Sequence, residues 1–388
     1  MKRRRIVFFL LWILSLVGIT FFGGTISYGL FWTMTFIPIL SLFYLLMVFV
    51  QFRVYQEIES RTVVSKQPTP YYFVLPNETF YSFASLSIRL FSGFSYVSDM
   101  PEDEEYELLP GDNYTYRTKL VCKYRGEYEV GVKEIIITDF FKLFRFKYRV
   151  QGTIKAQVFP RIVHKQELES MKDIVNMSFL NAPFQQIEPD VVTREYIPGD
   201  SMKYIHWKVS AREQKLKTRL QEGERKQELL LLYDTKRYSR EEAEYIPLES
   251  QILETVLALG YHFTEKGIPY TVLWGEKGVQ QYKVHAISQL DYWYQRTAGV
   301  GFGEEEDMAV LVQHLLSAGL QMNVNTLIMV VHDIEDKLMN VLQQLTFQGY
   351  SVMLYLITDK EPDKYIRYCN DRLKMVILPI EGNLEELL

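Results

Sequence analysis

Two long apolar runs at the start of the chain decide most of what it can be. Residues 6–22 carry no charge and are dominated by Ile, Val, Phe, Leu and Trp, and a second uncharged run covers about 30–50. Each approaches the roughly 20 residues that an α-helix needs to cross a hydrocarbon core. A basic stretch followed by an apolar run also describes a secretory signal, yet no small-x-small cleavage pattern follows here. Gly23, Gly24 and Gly29 instead punctuate a short polar turn, and the second run begins behind it. The expectation is a transmembrane helical hairpin over residues 1–52. Pro38 can kink its second helix where neighbours re-satisfy the freed carbonyl. Lys2, Arg3, Arg4 and Arg5 precede the first run, Arg53 and Arg61 follow the second, and the turn has no basic residue. Basic flanks are retained inside, so the chain reads as a multi-pass protein of the cell membrane with N- and C-termini cytoplasmic. Trp12 and Trp32 fit interfacial anchors and core aromatics equally well.

The chain has 388 residues, beyond the size at which one core stops growing, so two soluble domains are expected after the anchor. A net charge of −5 gives no global attraction to nucleic acid. Cys122 and Cys369 stand far apart, in no CxxC or Cys/His spacing, which suggests neither a disulfide framework nor a zinc site and fits a reducing compartment.

Over residues 53–160 the hydrophobic period becomes two. Phe144, Phe146, Tyr148 and Val150 alternate with polar residues, as do Ile154, Ala156 and Val158, the set Phe80, Ala84, Leu86, Ile88 and Leu90, and Tyr128, Val130 and Val132. Such alternation means strands with one buried and one wet face. Turns such as Pro110-Gly111-Asp112 separate them at the intervals of an antiparallel β-sandwich. The acidic run 102–105 reads as a solvated loop. Asn77-Glu-Thr and Asn113-Tyr-Thr match the glycosylation pattern, which a cytoplasmic domain makes accidental.

Residues 161–224 form a linking segment of mixed polar, aromatic and basic character. Pro198-Gly199-Asp200 is a turn in which Asp200 can cap a helix over about 201–212, with Ile205 and Val209 on one side. The run Arg194, Tyr196, Pro198, Gly199, Asp200, Ile205, His206, Trp207, Lys208, Ser210, Ala211 and Arg212, followed by Leu216, resembles the signature of the domain of unknown function 58 family. That family comprises MoxR-associated membrane proteins with a von Willebrand A-like module. The stretch 124–144 and the N-terminal hairpin are similar to the family as well. The resemblance implies partnership with a MoxR-type AAA+ ATPase and supplies no catalytic activity.

Three readings of the signature compete. In a structural one, Arg194 pairs with Asp200 and Trp207 pins the segment onto a domain face. In a binding one, Arg194, Tyr196, Gly199, Asp200, His206, Trp207, Lys208, Ser210 and Arg212 form a partner surface. In a catalytic one, His206 and Ser210 face each other at i and i+4 as base and nucleophile, with Asp200 as orienter; no oxyanion donors or Gly-rich elbow accompany them. The basic residues Lys203, Lys208, Arg212, Lys215, Lys217, Arg219, Arg225 and Lys226 suit a solvated face, an acidic protein or anionic lipid. No nucleic-acid module accompanies them.

Residues 225–388 alternate apolar runs with amphipathic stretches. Strands are expected at 228–233, 270–274, 326–331, 351–357 and 375–379, and helices at 248–266, 304–318, 333–348 and 362–373. Buried strands with crossover helices mean a doubly wound α/β domain, which the family resemblance implies is von Willebrand A-like, and functional groups in such sheets gather at the strands' carboxyl ends. Asp234, Asp333 and Asp359 stand there. A von Willebrand A module should follow its first strand with Asp-x-Ser-x-Ser, carboxylate and hydroxyls holding a divalent ion. This chain has Asp234-Thr235-Lys236-Arg237-Tyr238 instead. The metal site reads as degenerate, with Lys236 paired to one of the three aspartates as a substitute for the ion. No phosphate-cradling Gly-rich loop follows a strand, and "GVGFG" at 299–303 reads as a flexible loop. The expected function is a non-enzymatic membrane-anchored adaptor or assembly protein without cofactor, presenting a docking platform to an AAA+ ATPase. The alternatives are a metal-dependent hydrolase built on Asp234, Asp333 and Asp359, and an anionic-lipid-binding module.

Overall fold

A computed structural model describes residues 2–100, 105–163, 193–196, 202, 205–219, 229–276, 278–297, 299–303, 308–317, 324, 326–360 and 363–387. They divide into two compact units, Met1–Arg161 and Ile162–Leu388.

The first unit opens with α1 (Lys2–Phe22) and α2 (Gly24–Gln51), both long and apolar enough to cross a membrane. The second helix starts earlier than its apolar run suggests, so the turn is Gly23 alone, and Pro38 lies inside the helix. Gly23 and Gly24 have φ values of 57° and 85°, a region glycine enters without steric cost. Trp12 ties the helices together, its Nε1 donating to Thr35 Oγ1 at 3.1 Å.

Eleven strands follow: β1 (Tyr55–Ile58), β2 (Val63–Val64), β3 (Pro68–Pro76), β4 (Phe83–Leu90), β5 (Ser95–Val97), β6 (Glu105–Leu108), β7 (Asn113–Cys122), β8 (Gly126–Val130), β9 (Val132–Thr138), β10 (Arg145–Arg149) and β11 (Ile154–Phe159). They make three sheets, ordered β1-β3-β7-β5, β10-β9-β4-β6 and β2-β11-β8. Every pairing is antiparallel except β2 with β11. Gly131 carries the chain from β8 in one sheet to β9 in another at a φ of 84°, where a Cβ would come within 2.6 Å of Gln56 Oε1.

Alternation behaves as read in β11, where Ala156 and Val158 are buried and Lys155 and Gln157 exposed. It fails at Phe80, which is 85% exposed. That residue precedes β4, and a register shift between Phe83 and Leu86 breaks the period there. Asn77 is fully buried, its Nδ2 lying 3.0–3.1 Å from the carbonyls of Tyr81, Leu108 and Leu109, so its role is to hold a turn.

The last three turns of α2 belong to this β unit. Ser41, Leu45, Val48 and Phe52 fall on one helical stripe and are buried, the last three completely, in the core with Phe73, Leu75, Phe83, Leu86 and Ile137. Tyr44 donates its hydroxyl to Ser82 O at 2.7 Å and accepts from Ala84 N at 3.0 Å. Phe49 meets Phe146 and Tyr148 edge-on, each at 5.7 Å. The outer face of α2, with Leu40, Phe43, Leu46 and Val50, is exposed.

In the second unit β12 (Thr193–Glu195), α3 (Trp207–Glu213) and β13 (Lys217–Arg219) precede a larger sheet. The remaining elements are β14 (Leu229–Tyr233), α4 (Glu242–Glu265), β15 (Tyr270–Gly275), β16 (Val279–Val284), α5 (Ile287–Thr297), α6 (Met308–Ser317), β17 (Thr326–Val331), α7 (Asp336–Phe347), β18 (Ser351–Ile357), α8 (Asp363–Ile366), β19 (Leu373–Leu378) and α9 (Leu384–Leu387). Strand order is β16-β15-β14-β17-β18-β19, parallel throughout except at the β16 edge. Side chains of β14 alternate between two cores: Leu229, Leu231 and Tyr233 join one with α4 and α5, Leu230 and Leu232 the other with α6 and α7. Burial on both faces explains its unbroken apolar run.

The central strands fall within a residue or two of their expected places. β16 and α5 were not foreseen, because "VQQYKV" is a half-wet edge strand too polar to stand out. The helix expected over 362–373 shrinks to α8. Asn370 Oδ1 accepts from Arg372 N at 2.8 Å and Leu373 N at 2.9 Å, a local turn that competes with helix and starts β19 early.

Candidate functional site

The signature folds as a small β-helix-β motif. β12 pairs antiparallel with β13, Arg194 opposite Thr218 and Glu195 opposite Lys217. The ladder extends through Tyr196 N to Leu216 O at 2.9 Å and His206 N to Lys217 O at 2.8 Å. Between the strands His206 caps α3, its Nδ1 accepting from Val209 N at 3.3 Å. The helix is therefore shorter than the expected span of 201–212 and begins at Trp207. It closes at Gln214 in the left-handed conformation, φ 54°.

Each described signature residue now has a place. Ser210 is buried, and its Oγ accepts from Lys217 N at 2.8 Å, fastening the helix to β13. Both side chains of the imagined His206–Ser210 dyad thus bond to backbone groups, and no hydrogen bond joins them. Ile205 is buried at the foot of the helix. Trp207 does not pin the segment to a domain face; it is 65% exposed. Lys208, Arg212 and Lys215 are exposed, as are Met202 and Leu216, while Tyr196 is half-buried. Lys215 pairs with Glu195 at 3.3 Å and Lys217 with Glu213 at 3.2 Å. Gly199, Asp200, Lys203, Arg225, Lys226 and the side chains of Arg194 and Arg219 lie outside the described residues, as do the acidic helix start at 304–307 and residues 102–104 of the acidic run.

A second cluster sits at the carboxyl ends of β14 and β17. Asp234 is almost fully buried; its Oδ1 accepts from Lys236 N at 2.9 Å and its Oδ2 from the Tyr238 hydroxyl at 2.6 Å. Burial pushes its carboxyl above the usual carboxylate range, and the bonds from Tyr238 and Lys236 pull it partly back. The Tyr238 hydroxyl is pushed upward in turn, by burial first and by the Asp234 charge second. The Tyr238 ring meets His332 edge-on at 4.9 Å, and His332 Nδ1 lies 2.7 Å from Ile357 O.

Lys236 does not pair with an aspartate as expected. Its Nζ lies 3.3 Å from Glu335 Oε1 and above the Tyr238 ring at 5.3 Å. Asp333 Oδ1 accepts from Ile334 N at 2.8 Å and Asp359 Oδ1 from Ile380 N at 3.0 Å. The three strand-end acids are thus separately engaged, and among the described residues no group of three His, Cys, Asp or Glu is placed to share a metal ion. Tyr238, at the place of the second serine in the expected Asp-x-Ser-x-Ser run, gives its hydroxyl to Asp234.

The 299–303 segment is not a free loop. Val300 and Phe302 are buried, Gly303 N donates to Thr235 O at 2.9 Å and Arg237 N donates to Gly303 O at 2.7 Å. Arg237 Nε reaches the buried Glu249 at 2.7 Å, and its guanidinium lies over Tyr245 at 4.0 Å. Sequence reasoning missed this clamp, since nothing in the spacing of Arg237 and Glu249 shows that they meet across a strand end and a helix.

Residues 192–268 match the family model described as "Protein of unknown function DUF58". The signature is that of DUF58. The match runs from β12 through β14 to the end of α4, so the small motif and Asp234, Lys236 and Tyr238 lie inside it. No curated protein matches the chain. Among solved structures, a von Willebrand factor type A protein from Catenulispora acidiphila aligns at 10% identity and a TM-score of 0.29, over 44% of this chain and 41% of that one. An exo-β-N-acetylglucosaminidase from Vibrio harveyi aligns at 9% identity and a TM-score of 0.20, over 79% and 57%. The chain spans less than two thirds of each, and at these scores neither likeness bears on fold or activity.

Proposed function

We propose that this DUF58-bearing chain is a non-enzymatic membrane-anchored adaptor or assembly protein. Its hairpin lies in the cell membrane with both termini cytoplasmic. The three sheets of the first unit serve as an antiparallel β-sandwich spacer, and the six-stranded sheet is the core of a von Willebrand A-like docking platform with a degenerate metal site. The partner is an AAA+ ATPase of the MoxR type, as the resemblance of the signature implies.

One observation carries the reading: within the signature the side chains that hold the motif together and the largest exposed one are different residues. Ser210 and Ile205 are consumed in holding the motif together, whereas Trp207 stands 65% exposed, and Lys208 and Arg212 are exposed on the same short helix. Aromatic and arginine side chains dominate the energetics of protein interfaces, and an exposed tryptophan contributes little to its own fold. The test is binding of the detergent-solubilised full-length chain to a purified AAA+ ATPase recovered by crosslinking at position 207 in native membranes. Trp207→Ala should weaken that binding roughly 30-fold or more, the effect of an interface residue worth about 2 kcal/mol or more, and leave the melting temperature unchanged. Recovery of no ATPase at position 207, or unchanged affinity of the variant, refutes the proposal.

A further inference from the structure

The root of the hairpin and the β unit meet at a turn over residues 139–143. Asp139 is fully buried, and its carboxylate accepts from the Ser41 hydroxyl of α2, from Phe141 N at 3.2 Å and from Phe144 N at 2.6 Å. On the other helix Arg5 Nε donates to Leu143 O at 2.6 Å. The turn is thereby fastened to both helices at one height, Arg5 on α1 and Ser41 on α2. Lys142 closes it with a φ of 54° and pairs with Glu105. What this construction holds outward is apolar: Phe140 is 57% exposed and Phe141 53% exposed. Phe140 also lies against the Tyr44 ring at 4.9 Å, so the exposed aromatics continue the surface of α2.

We propose that this turn is a second membrane contact, in which Phe140 and Phe141 insert into the interfacial layer of the leaflet where the hairpin emerges. The inference rests on the reading of α1 and α2 as membrane-spanning. From the Gly23 turn to Ser41 the helix climbs about 26 Å at 1.5 Å per residue. A hydrocarbon core is about 30 Å thick. With one boundary at Gly23, the other falls a few Å beyond Ser41, at the height of the Phe140–Phe141 turn. Two half-exposed phenylalanines at that depth meet the upper acyl-chain segments next to the headgroups, and the long side chains of Arg4, Arg5 and Lys142 lie within reach of the phosphates. Water would leave the same two rings uncovered beside an apolar helix face. The occupant is thus the bilayer, and the β unit is held against it as well as tethered to it.

The test uses the full-length chain in vesicles of phosphatidylcholine and phosphatidylglycerol. In a Cys369→Ser background Cys122 stays buried and unreactive, and Phe141→Cys or Phe36→Cys supplies a site for a bimane label. Phe141→Cys should lose fluorescence to a lipid carrying a shallow acyl-chain nitroxide and little to an aqueous nitroxide, while Phe36→Cys should respond to a deep nitroxide. A deep response at position 36 with position 141 open to the aqueous quencher overturns this inference alone. No lipid response at position 36 overturns the membrane reading and the inference with it.

Discussion

Phe52 lies at the foot of the apolar hairpin, yet it is fully buried against Phe83 and Tyr148 at ring distances of 5.8 and 5.2 Å. A helix long and apolar enough to cross a membrane therefore also completes the β-unit core. Phe→Ala at such a site removes a ring and leaves a cavity, at about 3–5 kcal/mol, a large part of the roughly 5–15 kcal/mol that holds a domain folded. Cys122 reports on this directly, because it is fully buried in the same core. Burial pushes its thiol up to about 11, so it is inert until the unit opens. In detergent, with Cys369→Ser as background, the labelling rate of Cys122 under fast reclosing follows the opening equilibrium. Phe52→Ala should raise that rate roughly a hundred- to a few thousand-fold, since each 1.4 kcal/mol is a factor of ten. Leu40→Ala, at a side chain 62% exposed on the outer face of α2, is the control and should change little. Labelling of Phe52→Ala at the parent rate, or an equal acceleration by Leu40→Ala, refutes the idea that α2 is part of the β-unit core.

Two further outcomes follow from buried polar groups. Asp234 holds its proton more tightly folded than unfolded, so the stability it contributes is complete below the ordinary carboxylate range and is lost as pH rises through its raised value. Asp234→Asn should therefore raise the melting temperature of the second unit at neutral and higher pH, with the gain fading on acidification; a gain independent of pH refutes the assignment. Asn77→Ala strips the donor from three clustered carbonyls. It should cost at least about 2 kcal/mol, at roughly 1–3 kcal/mol for a buried group left without a partner, read as faster Cys122 labelling; unchanged labelling would show the turn to be held by other contacts.

Periodicity made much of this architecture legible. An unbroken apolar run such as 326–331 has one economical fate, a strand covered on both faces, and strict alternation at 154–158 has another. Residue types show that lysine and tyrosine stand where the expected metal motif has its two serines, whereas only the fold shows the tyrosine hydroxyl turned onto Asp234. Other features had no local signal. The polar edge strand β16 takes its conformation from pairing with β15, and the Arg237–Glu249 clamp joins residues that the fold alone brings together. Trp207 looked like an anchor because tryptophan usually is one; its exposure is set by which face of a seven-residue helix the Ser210–Lys217 bond turns inward.

The apolar runs by themselves determined that the chain begins with two helices able to cross a membrane, because their length and lack of charge are properties of consecutive residues. Which part of the second helix packs into the β unit was decided only by tertiary structure. Residues 41–52 are as apolar as those before them, and composition cannot tell a lipid-facing helix from one packed into a β core. The distinction lies in a stripe one turn wide, Ser41, Leu45, Val48 and Phe52, whose partners are dozens of residues away.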